Sequence, residues 1–370
     1  MDLIKLGWNN KFQEEFDNIK KYEYIPARVI REEKERYILM HQDGECMGKV
    51  SGRFRHKAES ICDFPAVGDW TAVKLLNKGK EAVIYELLSR KSKLTRKAPV
   101  SGGRKVKDVM GRKITLGGTT EEQVVAANID AIFIVVALDN TFNLRRLERF
   151  MLLAYNSGAT PVIILNKIDL CNNVEEKILQ VEGIAMGTDI YSISAINNEG
   201  VNKLRKYLGN NNTIGLFGTS GVGKSTLINA LLESNALQTG EVRESDGKGR
   251  HTTTWREMVI IPKGGVIIDT PGMRELQVWS NEDELDEIFE DIVELETQCK
   301  FRDCSHKKEP GCAIASSLKD GTLDKDRYEN YLLMKMEVGY LNNRVNERKA
   351  YTEREKFIEM IRRRDKGKYM

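Results

Sequence analysis

Gly218-Thr219-Ser220-Gly221-Val222-Gly223-Lys224-Ser225-Thr226 is the stretch on which the fold turns. It fits the phosphate-loop pattern GxxxxGK[ST], and its flanks supply the context that pattern needs. Thr213-Ile214-Gly215-Leu216-Phe217 reads as a short buried strand, and Leu227-Ile228-Asn229-Ala230-Leu231-Leu232 has the apolar spacing of a helix. Glycines at these positions let the backbone curl so that successive N–H groups point at phosphate oxygens, beside the positive end of a helix dipole. Lys224 then reaches the outer phosphates and Ser225 is the expected magnesium ligand.

A phosphate loop does not choose the base. Val162-Ile163-Ile164-Leu165-Asn166-Lys167-Ile168-Asp169 is an apolar strand ending in NKxD. A carboxylate at Asp169 can accept from both N1–H and the 2-amino group of guanine, a pair of donors that adenine does not offer. Ser194-Ala195 fits the short loop that supports the same base. Val266-Ile267-Ile268-Asp269-Thr270-Pro271-Gly272 is a third apolar strand. Asp269 suits the outer sphere of a magnesium ion, and the Gly272 N–H suits a γ-phosphate. The order of the pieces is unusual: NKID and SA precede the phosphate loop, and DTPG closes the series. That order defines a circularly permuted GTPase domain, with a mainly parallel sheet covered by helices on both faces. Permutation is tolerable because termini lie at the surface and sheet packing does not depend on where the chain is cut.

Working outward, Gly247-Lys248-Gly249-Arg250-His251-Thr252-Thr253-Thr254 occupies the switch I position. Thr253 is the threonine assigned to magnesium. Met273 stands after DTPG, where many GTPases carry a water-orienting glutamine, so a polar group must come from elsewhere. His251 is the nearest candidate in sequence; the alternative is a switch histidine with a purely structural hydrogen bond. Upstream, short alternating runs at Ile25/Ala27/Val29, Tyr37–Met40, Val67–Val73 and Ala82–Tyr85 indicate four or five strands, which suit a small OB-type barrel. Residues up to about Lys21 carry Leu3, Leu6, Trp8, Phe12 and Phe16 at amphipathic spacing and read as a docked extension.

Between Arg90 and Lys113 stand Arg90, Lys91, Lys93, Arg96, Lys97, Arg104, Lys105, Lys107, Arg112 and Lys113 against only Asp108. Such a run is either a solvated linker or, beside a barrel of this type, an RNA-facing loop. Residues 281–298 reverse the sign, with nine acidic side chains and no Lys or Arg. Cys299, Cys304, His306 and Cys312 follow within fourteen residues. Three thiolates and an imidazole make a closed tetrahedral set for one structural zinc, whereas Cys46, Cys62 and Cys171 are scattered. The remainder is helical in composition and ends in the basic run Arg362-Arg363-Arg364-Asp365-Lys366-Gly367-Lys368, which is solvated or rests on phosphate backbone. The division expected is 1–22 extension, 23–112 OB barrel with a basic loop, 113–280 permuted GTPase domain and 281–370 zinc-binding helical domain. No apolar stretch has the length of a membrane span, and the N-terminus lacks a signal peptide's apolar centre; a cytoplasmic monomer is the expectation.

The OB-like barrel, permuted GTPase domain and Cys₃His segment, in this order, resemble the ribosome small subunit-dependent GTPase A (RsgA/YjeQ) family over nearly the whole chain. Its marks here are Arg96-Lys97-Ala98, Gln123-Val124-Val125-Ala126-Ala127-Asn128, NKID, GTSGVGKST, GRHTTT, DTPG and the cysteine spacing. The resemblance implies a GTP hydrolase acting late in small-subunit assembly, with rRNA as partner and hydrolysis stimulated by the subunit and coupled to release. It also implicates the switch histidine, His251, in hydrolysis. The alternative function is a GTP-gated RNA-binding module whose hydrolysis is incidental.

Overall fold

The structure is a computed structural model that describes residues 2–19, 23–33, 36–97, 104–107, 113–116, 122–233, 257–262, 264–269, 282–307 and 309–339. The chain divides into two compact units, Met1–Gln277 and Val278–Met370.

In the first unit, five strands close a barrel: β1 (Ile25–Glu33), β2 (Arg36–His41), β3 (Gly44–Val50), β4 (Trp70–Leu76) and β5 (Glu81–Leu87). The order is β1-β2-β3-β5-β4, and β4 pairs back onto β1. This is the expected OB-type barrel. Ala27, Val29, Tyr37, Leu39, Cys46, Val73, Ala82 and Ile84 fill it, and helix α2 (Gly52–Lys57) sends Phe54 into the same core with Ser51 capping its N-terminus. Strand β3 is absent from the alternating runs of the sequence. Its buried positions are Cys46 and Gly48, with β-branched Val50 only partly buried at its end, and a Cβ at Gly48 would stand 2.5 Å from Leu39 Cδ1, so the buried Leu39 side chain would have to shift.

The N-terminal extension is docked on this unit. A 3₁₀ turn (Leu3–Leu6) and helix α1 (Asn10–Ile19) bury Leu6, Phe12 and Phe16, and the Trp8 ring meets the fully buried Trp70 edge-on at 4.7 Å.

After the barrel, β6 (Lys93–Lys97) pairs with β9 (Glu122–Ala127), and β7 (Arg104–Lys107) with β8 (Lys113–Leu116). Here the basic run needs a correction. Arg90 is an internal residue: it binds both oxygens of buried Asp69 at 2.8 and 2.6 Å and the carbonyls of Cys62 and Phe64. Lys91 is paired with Asp130, Lys93 lies 3.4 Å from Glu122, and Arg96 binds the Gln123 amide oxygen. Composition within the run showed only Asp108 as counter-charge; the acidic partners come from Asp69, Glu122 and Asp130, outside it.

The GTPase sheet follows. Strands β10 (Ala131–Ala137), β11 (Thr160–Asn166), β12 (Asp189–Ile193), β13 (Thr213–Phe217), β14 (Glu257–Ile260) and β15 (Val266–Asp269) lie in the order β12-β11-β10-β13-β15-β14. All neighbours are parallel except β14 against β15. The central strands read as continuous apolar runs because both faces are covered, as a parallel sheet requires. Helices α3 (Leu144–Asn156), α4 (Val174–Glu182), α5 (Arg205–Leu208) and α6 (Lys224–Leu232) belong to this layer.

Barrel and GTPase sheet are continuous. β14 pairs with β1 at Arg31↔Glu257, next to the β1 bulge between Val29 and Arg31. Beneath that joint Arg28 is fully buried, bonding to the carbonyls of Leu6, Gly68 and Asn128 and to Thr213 Oγ1. One side chain thereby ties the extension, the barrel, the linker and the first residue of β13. Burial pulls its guanidinium down to about 10, against the nearby charges of Asp130 and Asp69. Asn128, at φ 58, holds the same joint by accepting from Lys91 N–H and donating to Gly68 O.

The second unit contains α7 (Glu282–Ile288), α8 (Glu290–Thr297), α9 (Ala313–Asp320) and a helix over 325–339 that we call α10. Leu285, Ile288, Phe289, Ile292, Ile314, Tyr328, Tyr331, Met334 and Val338 are buried. Arg327 clamps α10 to the acidic helices through a two-pronged bond to Asp291, at 2.9 and 2.6 Å, and a bond to Ile288 O. Among the described residues, no helix is long and apolar enough to cross a membrane.

Candidate nucleotide site and metal cluster

Among the described residues, four motifs of the first unit stand at the carboxyl ends of parallel strands, the edge at which open α/β sheets bind ligands. The phosphate loop follows β13, NKID follows β11, Ser194-Ala195 follow β12, and Asp269 is the last residue of β15. Registers bring them side by side: Asn166 is level with Ile193 and with Ala137, and Leu216 is level with Asp269.

Three glycines of the loop, Gly218, Gly221 and Gly223, stand at positive φ, and two of them also face close neighbours. Gly218 sits at φ 147, and a Cβ there would lie 2.5 Å from Val135 O; Gly223 sits at φ 98, and a Cβ would lie 2.3 Å from Asn166 Nδ2. Between them run Thr219, Ser220, Gly221 and Val222, and α6 begins at Lys224, so Ser225 and Thr226 lie in its first turn. The Lys224 ammonium is held by the carbonyls of Gly218 and Thr219 at 2.7 and 2.9 Å, folding its charge over the loop.

Asn166 is the keystone. It is 1% exposed; its amide donates to Val222 O at 2.8 Å and accepts from Ala195 N–H at 3.0 Å. One side chain therefore fixes NKID, the phosphate loop and the SA loop together. Asp169 accepts from Ser194 Oγ, closing the second link between NKID and SA. Lys167, at φ 67, turns the chain after β11, and its ammonium pairs with Asp139 at 2.8 Å. Burial pushes the Asp139 carboxyl up, but bonds from Lys167 and Thr141 outweigh it and hold it below the usual range. Sequence reading missed Asp139. Its only signal is an acidic residue two positions beyond an apolar strand, in Ala137-Leu138-Asp139. His251, Thr253 and Gly272 lie outside the described residues, as do Met273 and the basic tail.

In the second unit Cys299, Cys304, His306 and Cys312 converge, their ligand atoms all within 4.8 Å of one another. Cys299 Sγ and Cys312 Sγ are 3.9 Å apart, and His306 Nδ1 lies 3.5 and 3.6 Å from them. A tetrahedral ion with bonds of about 2.3 Å to sulfur and about 2.0 Å to nitrogen has edges of roughly 3.8 Å and 3.5 Å. The donor set fits such an ion. The barrel thiol Cys46 is different: it is a core side chain, and burial pushes it up to about 11.

A nucleotide loop, a guanine-type NKxD and SA pair, and an order in which the phosphate loop comes after both define a circularly permuted GTPase. A family model described as RsgA GTPase matches residues 109–279. The small ribosomal subunit biogenesis GTPase RsgA 1 of Oceanobacillus iheyensis is 40% identical over 365 residues, 97% of this chain and 99% of that one. RsgA of Opitutus terrae is 37% identical over 366 residues, 96% and 95% of the two chains. Among solved structures, YjeQ from Thermotoga maritima matches with a TM-score of 0.58 and 26% identity, over 85% of this chain and 98% of that one. YloQ, titled a circularly permuted GTPase, matches in fold with a TM-score of 0.54 at 24% identity, over 86% and 96%. The chain belongs to the RsgA GTPase family, and it is a GTPase.

Proposed function

We propose that this GTPase acts late in assembly of the small ribosomal subunit, that the subunit stimulates hydrolysis, and that hydrolysis releases the protein. The observation that carries the reading is likeness over nearly full length to proteins named for small-subunit biogenesis, spanning barrel, GTPase sheet and cysteine cluster alike.

In this reading residues 113–280 bind the nucleotide. Gly218 to Thr226 cradle the phosphates, with Lys224 on the outer ones. Ser225, Thr253 and Asp269 serve the magnesium ion, and Gly272 N–H meets the γ-phosphate. Asp169 takes the two guanine donors, supported by Asn166, Lys167, Ser194 and Ala195; the Asn166 bridge keeps these loops in one piece. His251 orients the attacking water. Residues 23–112 and 281–370 grip rRNA, and Cys299, Cys304, His306 and Cys312 hold a structural zinc. The protein works as a monomer in the cytoplasm.

Co-sedimentation with purified small subunits tests this. Retention with a non-hydrolysable GTP analogue and loss with GDP is the expected result. Equal retention in both states would remove the release step.

A further inference from the structure

The cysteine cluster has an organised surround that the four ligands do not account for. His306 turns Nδ1 toward the sulfurs, at 3.5 and 3.6 Å, and its other nitrogen, Nε2, faces Glu296 Oε1 at 3.6 Å. The ring thus lies between the ligand sulfurs on one side and a carboxylate on the other, with its backbone at φ 58, in the left-handed region that histidine enters more readily than most side chains.

Glu296 is itself held. It lies on the last turn of α8, and its backbone carbonyl accepts from Cys299 N–H at 3.3 Å, so ligand and carboxylate share one turn of chain. Tyr331 OH lies 3.4 Å from both of its oxygens, and Lys335 Nζ lies 3.6 Å away. Lys335 also bonds Tyr331 OH at 2.7 Å and sits 4.9 Å over that ring. Tyr331 is fully buried and its ring meets Phe289 at 5.3 Å, so the network is anchored in the core of the unit.

The charges explain why a lysine belongs here. Three thiolates and a neutral imidazole around a divalent ion carry one net negative charge. A second negative charge at Glu296 would be repelled, and Lys335 offsets it. A carboxylate opposite a ligating imidazole fixes the tautomer and raises the basicity of the nitrogen that binds metal.

We propose that Glu296, steadied by Tyr331 and Lys335, positions His306 as an Nδ1 metal ligand by accepting from its Nε2–H. This rests on the zinc reading of the cluster. At 3.6 Å the contact is short of a closed hydrogen bond; a swing of a few tenths of an ångström by the partly exposed Glu296 side chain completes it.

The chain holds four histidines, so ¹⁵N-histidine labelling of the full-length zinc-loaded protein gives a readable spectrum. The expected pattern for His306 is a proton on Nε2 and metal on Nδ1, its assignment confirmed by its absence from His306→Cys. Glu296→Ala should weaken zinc, measured by competition with a chromogenic chelator, by about 10- to 100-fold. Glu296→Gln, which keeps an acceptor oxygen, should lose less, and Lys335→Met should lose least. Metal on Nε2 in the parent, or parent-like zinc affinity in Glu296→Ala, would overturn the positioning role while leaving the zinc reading intact. Parent protein that takes up no stoichiometric zinc would defeat both.

Discussion

The joint between barrel and GTPase sheet and the cluster of the second unit solve the same problem, holding separate elements in fixed geometry, by opposite means. The joint is built from groups far apart in sequence. Arg28 gathers Leu6, Gly68, Asn128 and Thr213, and β1 meets β14 across more than two hundred residues. The cluster is built from four ligands within fourteen residues. Long-range assembly draws on a large buried core, whereas a small helical unit with few buried side chains gains most from a staple. The difference implies that the two regions should fail independently.

Removing the zinc proposed for the cluster gives the largest expected effect. Structural zinc in small domains contributes about 10–16 kcal/mol of apparent binding free energy, coupled to folding. Cys304→Ser, or chelation of the parent, should therefore abolish slow hydrogen exchange over residues 282–339. Nucleotide affinity should change by less than about twofold, because the first unit has its own core. A parallel loss of nucleotide binding would break the comparison.

Arg28→Met attacks the joint instead. It removes the buried donor of the Leu6 and Asn128 carbonyls and of the Thr213 hydroxyl, while Gly68 O keeps its bond from Asn128; each buried polar group left unsatisfied costs about 1–3 kcal/mol. The unfolding midpoint of the first unit should fall in denaturant titration while zinc content stays constant. If both units lose stability together, they are not independent.

Within the nucleotide site the effects are smaller. Asp169→Asn should weaken GTP by roughly 2–3 kcal/mol and favour xanthosine triphosphate, whose 2-oxo group needs a donor. Unchanged GTP affinity by calorimetry would sink the guanine assignment. Asp139→Asn removes a partly exposed ion pair with Lys167 and should cost less than about 1 kcal/mol. Because the Asp139 carboxyl is held below its ordinary value, its contribution is complete above that value and is lost only as pH falls through the lower one. GTP affinity should therefore show no titration from the Asp139 carboxyl between about pH 5 and pH 8; a step in that window would place the ionising group elsewhere.

What the sequence disclosed divides along the same line. The phosphate loop, NKID, SA and the Cys₃His set are contiguous or nearly so, and their spacing alone raises the expectation of a nucleotide site and a metal site. Arg28 was hidden by the alternation that revealed its strand. With Ile25, Ala27 and Val29 facing inward, period two sends Arg28 to the other side, which would be solvent in an isolated barrel. That side is covered by the extension and the GTPase sheet, leaving Arg28 1% exposed. Arg90 and Lys91 were misread for the same reason, since their partners Asp69 and Asp130 lie tens of residues away. Strand β3 escaped because its two buried positions are Cys46 and Gly48, neither a strand-former; close packing against Leu39 favours the small residue. Asp139 and Glu296 were invisible because each acts on a motif residue through space: Lys167 in one case, His306 in the other.

The central claim, that hydrolysis is switched on by the small subunit, is tested most directly by GTP turnover of the full chain with and without purified small subunits. Met273 leaves the attacking water without the usual orienting glutamine, so the free protein should be slow. Subunits should raise the rate by roughly 10³-fold or more, the gain that groups positioned on complex formation bring to phosphoryl transfer. His251→Ala should lose most of that gain while binding GTP like the parent. Turnover that subunits leave unchanged would contradict the claim and leave a GTP-gated RNA-binding protein in its place.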